Sequence, residues 1–282
     1  MTPRAGRTRI WLLRVLFGSL LVGALCVAYG YFVEPYWPEV THVSIASSRL
    51  HPGARPIRVV LLSDLHSDPT PRLEDRLPAL VAAQRPDLVV YTGDSINSKA
   101  ALPVFRRCMT RIAAVAPTFA VRGNWDSWYW RDVDLFGGTG VSELDGHAGR
   151  VDLGETYVWI AGVAVDHEGL ADRALKEIPA GSPALFLYHY PYPDVLPEAA
   201  RQKVDLYCTG HTHGGQVALP FYGAIITLSK YGKKYEAGLY RVGTTWMYVN
   251  RGIGLEGGGA PRVRFFARQE ITVIDIGPER AN

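Results

Sequence analysis

Ile57-Arg58-Val59-Val60-Leu61-Leu62-Ser63-Asp64-Leu65-His66 is an apolar run, rich in β-branched residues, that stops at a serine, a carboxylate and an imidazole. Near-continuous apolar side chains suit a strand buried on both faces, as in a parallel sheet covered by helices. The pattern returns twice. Residues 88–91 run into Gly93-Asp94, and residues 118–121 run into Gly123-Asn124. Between them, residues 73–84, which include Pro78, and residues 104–114 place apolar side chains at helical spacing. Strand, polar loop and helix in repetition predict βαβ units, with polar residues just past the strand ends, where open α/β sheets build their sites. Further strands are predicted at 151–153, 156–165, 184–188, 206–209, 239–242, 245–250, 263–266 and 270–276, with helical spacing at 170–178 and 197–202. The predicted fold class is α/β, a two-sheet β-sandwich flanked by helices.

At 282 residues and 48% apolar, the chain can bury one large core. A net charge of +3 gives no nucleic-acid footprint. Cys26, Cys108 and Cys208 lie far apart with no CxxC spacing, which excludes a zinc knuckle or a disulfide framework. Residues 15–33 carry no charge, and at about 1.5 Å per residue they approach the roughly 30 Å hydrocarbon core of a bilayer. Arg4, Arg7, Arg9 and Arg14 precede this run, whereas Glu34 and Glu39 follow it. The positive-inside rule then leaves the N-terminus in the cytoplasm and the bulk of the chain outside a plasma (inner) membrane, on a single pass. A cleaved signal peptide, with small residues at Ala28 and Gly30, is the rival reading and exports the domain equally. The chain divides into a basic N-terminus (1–14), a transmembrane helix (15–33), a proline-containing stalk with one strand near 40–47 (34–56) and a domain (57–282). Gly257-Gly258-Gly259 reads as a flexible loop.

Five segments carry chemistry: Asp64-Leu65-His66, Gly93-Asp94, Gly123-Asn124-Trp125-Asp126, His189 and Gly210-His211-Thr212-His213. Each follows an apolar run, so all can converge on one edge of the sheets. Taken singly, Asp64-Leu65-His66 or Gly93-Asp94 is an ordinary polar turn. The pair of histidines inside a glycine-rich turn is more specific. Carboxylate, imidazole and amide ligands without cysteine suit Mn, Fe or Zn.

In type and order these segments resemble the blocks D-x-H, GD, GN-H-[DE], H and GH-x-H of the calcineurin-like metallophosphoesterase family. The sequence GHTHGGQ (210–216), Ser229-Lys230-Tyr231-Gly232 and Glu236-Ala237-Gly238-Leu239-Tyr240 resemble a membrane-associated bacterial branch of exported phosphoesterases and UDP-2,3-diacylglucosamine pyrophosphatases. The resemblance implies a four-layer α/β/β/α fold and two divalent metal ions per chain, with manganese favoured over iron or zinc. It implies one metal on Asp64, His66 and His213, a second on Asn124, His189 and His211, and Asp94 bridging them, with Asp94, Asn124 and His211 as the catalytic groups. A water between such metals is acidified and attacks phosphorus. Trp125 stands where the family places a histidine that protonates the leaving group, which favours a substrate that leaves readily. His147 and His167 are possible substitute donors, and Arg122, Trp125, Lys230, Lys233 and Lys234 are candidate substrate groups.

The aromatic cluster Trp125, Trp128, Tyr129 and Trp130, with Phe221, Tyr222, Ile225, Ile226 and Leu228, predicts a lipid-facing rim. The expected function is a membrane-anchored phosphoesterase or pyrophosphatase, in its most specific form a UDP-2,3-diacylglucosamine pyrophosphatase of lipid A biosynthesis. An exported phospholipid phosphatase or phosphodiesterase is the alternative, and an inactive metal-binding scaffold is an alternative of another class. The expected partners are a lipid- or nucleotide-linked phosphate and the bilayer, with no nucleic acid and no obligate protein partner.

Overall fold

The computed structural model describes residues 4–201, 203–256 and 261–279; the glycine run 257–259 lies outside them. Helix α1 (Arg4–Phe32) leads into strand β1 (Glu39–Ser47), followed by β2 (Ile57–Leu62), α2 (Leu77–Ala83), β3 (Leu88–Tyr91), α3 (Leu102–Ala113), β4 (Thr118–Ala120), α4 (Asn124–Tyr129) and β5 (Ser142–Glu143). The second half holds β6 (His147–Asp152), β7 (Tyr157–Gly162), α5 (Ala171–Lys176), β8 (Ala184–Leu187), α6 (Glu198–Arg201), β9 (Leu206–Thr209), β10 (Ala218–Leu219), β11 (Gly223–Ala224), β12 (Gly238–Val242), β13 (Thr245–Val249) and β14 (Glu270–Pro278). One sheet has the order β1-β14-β2-β3-β4-β5 and the other β12-β13-β9-β8-β7-β6, while β10 and β11 form a separate hairpin.

The period of two along a strand sorts side chains to opposite faces. On β2, Ile57, Val59 and Leu61 turn into the interior between the sheets, against Ile160, Leu187 and Cys208. Val60 and Leu62 turn outward and are covered by α2 and α3 through Val81, Phe105 and Ile112. The outer face of the second sheet is covered in the same way by Ala171, Ala174 and Leu175 of α5. Both faces of each sheet are therefore buried, giving four layers, α/β/β/α. Strands β2, β3 and β4 run parallel, as do β7, β8, β9 and β13, so the loops after β2, β3, β4, β8 and β9 all open at strand carboxyl ends.

Three details differ from the sequence reading. The helix expected from residue 73 begins at Leu77, because Pro78 lacks an N–H and is tolerated only in a first turn. Residues 34–56 are more than a stalk: β1 pairs along its whole length with β14 as an edge strand, so the sheet starts before residue 57. Residues 263–266 form no strand; Phe265 makes an isolated bridge with Val217, and the Arg264 side chain turns inward. Helix α1 is long and apolar enough to cross a membrane, and Leu12, Leu16 and Leu20 lie exposed along it.

Candidate metal centre

Asp64 and His66 follow β2, Asp94 follows β3, Asn124 opens α4 after β4, His189 follows β8, and His211 and His213 follow β9. The tertiary fold gathers them. His213 Nε2 is 3.3 Å from Asp64 Oδ1, His189 Nε2 is 3.2 Å from Asp94 Oδ2, and His66 Nε2 is 3.5 Å from that same oxygen. Ligand-type atoms of Asp64, His66 and His213 lie within 4.8 Å of one another, as do those of Asp64, Asp94 and His189. The His189 and His211 rings meet edge on, with centroids 5.2 Å apart. All seven residues are buried except His211, which is half-buried at the rim.

Backbone conformation carries the same signature. Asp64, His66, Asp94, His211 and His213 all have positive φ, between 40° and 72°, a region costing a non-glycine residue about 1–3 kcal/mol. This strain sits where the chain turns off each strand end and points a polar side chain back into the cluster. Gly210 and Gly123 permit the close approach: a Cβ on Gly210 would stand 2.3 Å from Asp64 Oδ2, and one on Gly123 would stand 2.2 Å from Asp94 Oδ1.

The imidazoles are oriented from behind. His189 Nδ1 lies 2.8 Å from the Thr92 carbonyl and His66 Nδ1 lies 3.1 Å from Asn97 Oδ1. His211 Nε2 lies 3.4 Å from the Leu228 carbonyl, and Arg264 Nη2 lies 3.1 Å from His213 Nδ1. Such outer partners set which ring nitrogen faces a cation. The inward Nε2 atoms of His66 and His189 and the Asn124 Oδ1 have no hydrogen-bond partner among the described residues, although all three are buried. Leaving a buried polar atom unpaired costs about 1–3 kcal/mol. The two imidazole nitrogens stand beside the Asp94 carboxylate, and with the Asn124 oxygen they are donors of the kind that divalent cations take.

Residues 57–215 match the family of calcineurin-like phosphoesterases. The chain belongs to that family. This calcineurin-like phosphoesterase is 32% identical over 290 residues to the uncharacterized metallophosphoesterase YkuE of Bacillus subtilis, covering 94% of this chain and 96% of that protein. It is 29% identical over 261 residues to the phosphodiesterase YaeI of Escherichia coli, covering 88% and 92% of the two chains. It is also 28% identical over 279 residues to a transmembrane protein with metallophosphoesterase domain from Danio rerio, covering 91% of this chain and 61% of that one.

Several candidate substrate groups of the phosphoesterase are engaged elsewhere. Arg122 spends its guanidinium on Glu143 and on the carbonyls of Trp130, Arg131 and Val133, so it staples the loop after α4 rather than facing a phosphate. Lys230 pairs with Asp194, and Lys233 binds the carbonyls of Tyr222 and Ala224 and pairs with Glu236. Lys234 stands over the Tyr235 ring. Trp125 does lie at the centre: its ring meets His66 edge on at 5.2 Å, and its backbone N–H donates to Asp94 Oδ1 at 2.8 Å. His147 and His167 pair with Glu177 and Asp145 instead of joining the cluster.

Two residues to which the sequence reading assigned no role hold the phosphoesterase site together. Asp126 accepts hydrogen bonds from the backbone N–H groups of Asp94, Ser95 and Gly123, which locks the Asp94 loop to the start of α4. Burial, and then the Asp94 charge, push its carboxyl up to about 6. Its place two residues after Asn124, at the acidic end of the GN block, was the available signal. Arg264 lies in a segment with no motif at all.

The charges in the cluster predict how metal uptake responds to pH. Burial opposes a charged His189, yet the Asp94 carboxylate beside it outweighs this and raises the imidazole to about 9. Metal-free protein then carries this proton at neutral pH, and a cation must displace it. Mn²⁺ affinity is therefore expected to climb about tenfold per pH unit between roughly pH 6 and 8, with about one proton released per cation. Calorimetric titration in buffers of different ionisation enthalpy measures both quantities; a flat affinity over that range contradicts the assignment.

Proposed function

We propose that this phosphoesterase is a membrane-anchored hydrolase of a phosphoester or phosphoanhydride bond in a lipid-linked substrate, working with two divalent cations. Asp64, His66 and His213 would hold one cation, Asn124, His189 and His211 the other, and Asp94 would join the two. The observation that carries this reading is the buried cluster in which ligand-type atoms of Asp64, His66 and His213, and of Asp64, Asp94 and His189, lie within 4.8 Å of one another, with Asn124 Oδ1 buried and without a hydrogen-bond partner. When bound, a pair of divalent cations supplies the Lewis acidity that neutralises phosphoryl oxygens and acidifies a water.

The chain's own residues position and shape the reaction. Thr92, Asn97 and Leu228 fix three imidazoles from behind, while Asp126 and the backbone N–H of Trp125 fix Asp94. Where relatives would have an imidazole to protonate the leaving oxygen, the Trp125 indole offers only an N–H and an apolar face. This supports a substrate whose leaving group needs no proton, such as a nucleoside monophosphate in a pyrophosphate. A UDP-diacylglucosamine-type pyrophosphate fits that chemistry; a phospholipid ester fits the outward orientation read from the N-terminal arginines.

Purified full-length protein with Mn²⁺ should hydrolyse bis(p-nitrophenyl) phosphate, and His189→Ala should abolish this. Turnover that is absent, or indifferent to His189→Ala, would favour the inactive scaffold. Trp125→His is expected to raise the rate on an alkyl phosphodiester by about 10²-fold, the lower end of general-acid contributions, with little change on the nitrophenyl ester. Equal effects on both substrates would overturn the leaving-group argument. Incubation with UDP-diacylglucosamine and with phosphatidylglycerol, read by mass spectrometry, separates the two lipid-linked substrates.

A further inference from the structure

We infer that the β10–β11 hairpin is a second membrane-contacting element, which dips into the bilayer beside α1 and opens the metal centre toward lipid. The inference rests on the reading of α1 as a membrane anchor and extends it to the orientation of the catalytic edge.

Strand register supplies the first argument. β1 runs parallel to β14, with Glu39 opposite Glu270, and β14 runs antiparallel to β2, with Thr272 opposite Leu61. The start of β1 is therefore level with the end of β2, where Asp64 and His66 lie. The chain coming from α1 thus joins the domain at its ligand-bearing edge. Exposed Tyr31, Phe32, Tyr36 and Trp37 at this junction have the composition of an interfacial aromatic belt.

The hairpin is physically continuous with that junction. The Tyr29 and Phe265 rings meet edge on at 6.2 Å, and the Arg264 N–H donates to the Gly30 carbonyl at 3.0 Å. Phe265 in turn bridges Val217 and accepts from the Ala218 N–H at 2.8 Å, at the base of the hairpin. Phe221, at the tip, is only four residues beyond Val217, a reach of at most about 13 Å at strand spacing.

Composition supplies the third argument. Beyond residue 37, the large exposed hydrophobics among the described residues are nine, and six of them fall within 219–228. Phe221 is fully exposed, and Ile226 and Leu228 are each exposed to more than 60%. A soluble face of this kind is costly in water, whereas an interfacial segment buries about 5–10 Å into the headgroup and acyl boundary. Behind the hairpin, a cavity of about 580 Å³ is lined by Ile225, Ile226 and Leu228 and reaches His211 and His213. A hairpin seated in lipid places the mouth of this cavity at the bilayer surface, so that an acyl chain can enter it without crossing water.

The test uses the full chain in phosphatidylethanolamine–phosphatidylglycerol vesicles. Cys26→Ser removes the thiol in the span, and Cys108 and Cys208 are buried, so Phe221→Cys and Ile226→Cys can be labelled singly with a bimane dye. Glu155→Cys is the aqueous control: Glu155 lines a cleft with His51 and Arg55 ahead of β2, at the opposite end of the strands. Both hairpin labels should be quenched by lipid bearing a nitroxide at acyl carbon 5, and their iodide quenching constants should be at least fivefold below that of the control. Labelling Cys26 in the otherwise unaltered chain checks the anchor. Lipid quenching at Cys26 with iodide-accessible hairpin labels overturns the inference and leaves the anchor standing. No lipid quenching at Cys26 overturns the anchor and, with it, the inference. Neither readout depends on catalysis.

Discussion

Asp94→Ala is expected to lower kcat/KM by about 10³-fold or more, the scale of losing a preorganised electrostatic group together with part of a metal site. Asp94 is the residue on which the cluster closes. Its Oδ2 lies within 3.5 Å of two imidazoles, and its Oδ1 accepts the Trp125 N–H. Burial opposes its charge, but His189 and His66 hold the carboxyl well below the usual carboxylate range, so it is ionised at every working pH. Under the proposed assignment two cations would be held side by side, and the Asp94 carboxylate would offset their repulsion. Asp94→Asn separates charge from shape, since the amide oxygen can still accept from Trp125. Steady-state kinetics with metal content measured in parallel should show both variants inactive and short of metal. An Asp94→Asn enzyme with full activity and a full complement of metal would refute the bridging role.

Arg264→Met is expected to destabilise the domain by about 3–6 kcal/mol, from roughly 1–2 kcal/mol for each of the three buried carbonyls it would leave without a donor. Arg264 is fully buried, and its guanidinium donates to the carbonyls of His213, Arg251, Gly254 and Ala267. The first three carbonyls belong to the turn that carries His213 and to the loop from 251 to 254 that lies against Asp64 and Leu65, and the fourth to the segment just after Arg264. Methionine matches much of the volume but leaves the carbonyls of Arg251, Gly254 and Ala267 without this donor, while that of His213 keeps the Gln216 N–H. Thermal denaturation in detergent should show a fall of roughly 10 °C, taking about 2–4 °C per kcal/mol for a domain of this size. Arg264→Lys should recover little, because one ammonium cannot span acceptors that a planar guanidinium reaches together. An unchanged melting temperature would show that the carbonyls find water instead.

The apolar runs at β2, β3, β4, β8 and β9 were legible in the sequence because strands buried on two faces admit no polar residue until they end. The same rule made the candidate ligands visible, as a polar residue at a buried strand end must be satisfied by something. Pro78 misled the helix start, since periodicity does not record that proline belongs in a first turn. The 263–266 stretch misled for another reason: a short run with Val263, Phe265 and Phe266 between turns looks like a strand, yet Arg264 faces inward to backbone carbonyls, most of them supplied by other loops. Arg122 and the lysines near 230 looked free because a lone sequence cannot show a partner such as Glu143 or Asp194, each made a neighbour only by folding.

By itself, the sequence determined the α/β layering, the apolar N-terminal helix and the order of the candidate ligands, because these depend on local periodicity and on residue type at strand ends, and the resemblance of its five motif blocks pointed to the family. Only the tertiary structure decided which polar groups meet. It set Asp126 and Arg264 behind the ligands, tied Arg122 to Glu143 and the loop after α4, and joined β1 to β14 so that α1 enters at the ligand-bearing edge. Those outcomes depend on strand pairing between residues more than 200 positions apart, such as Glu39 with Glu270, and no local pattern encodes such a register.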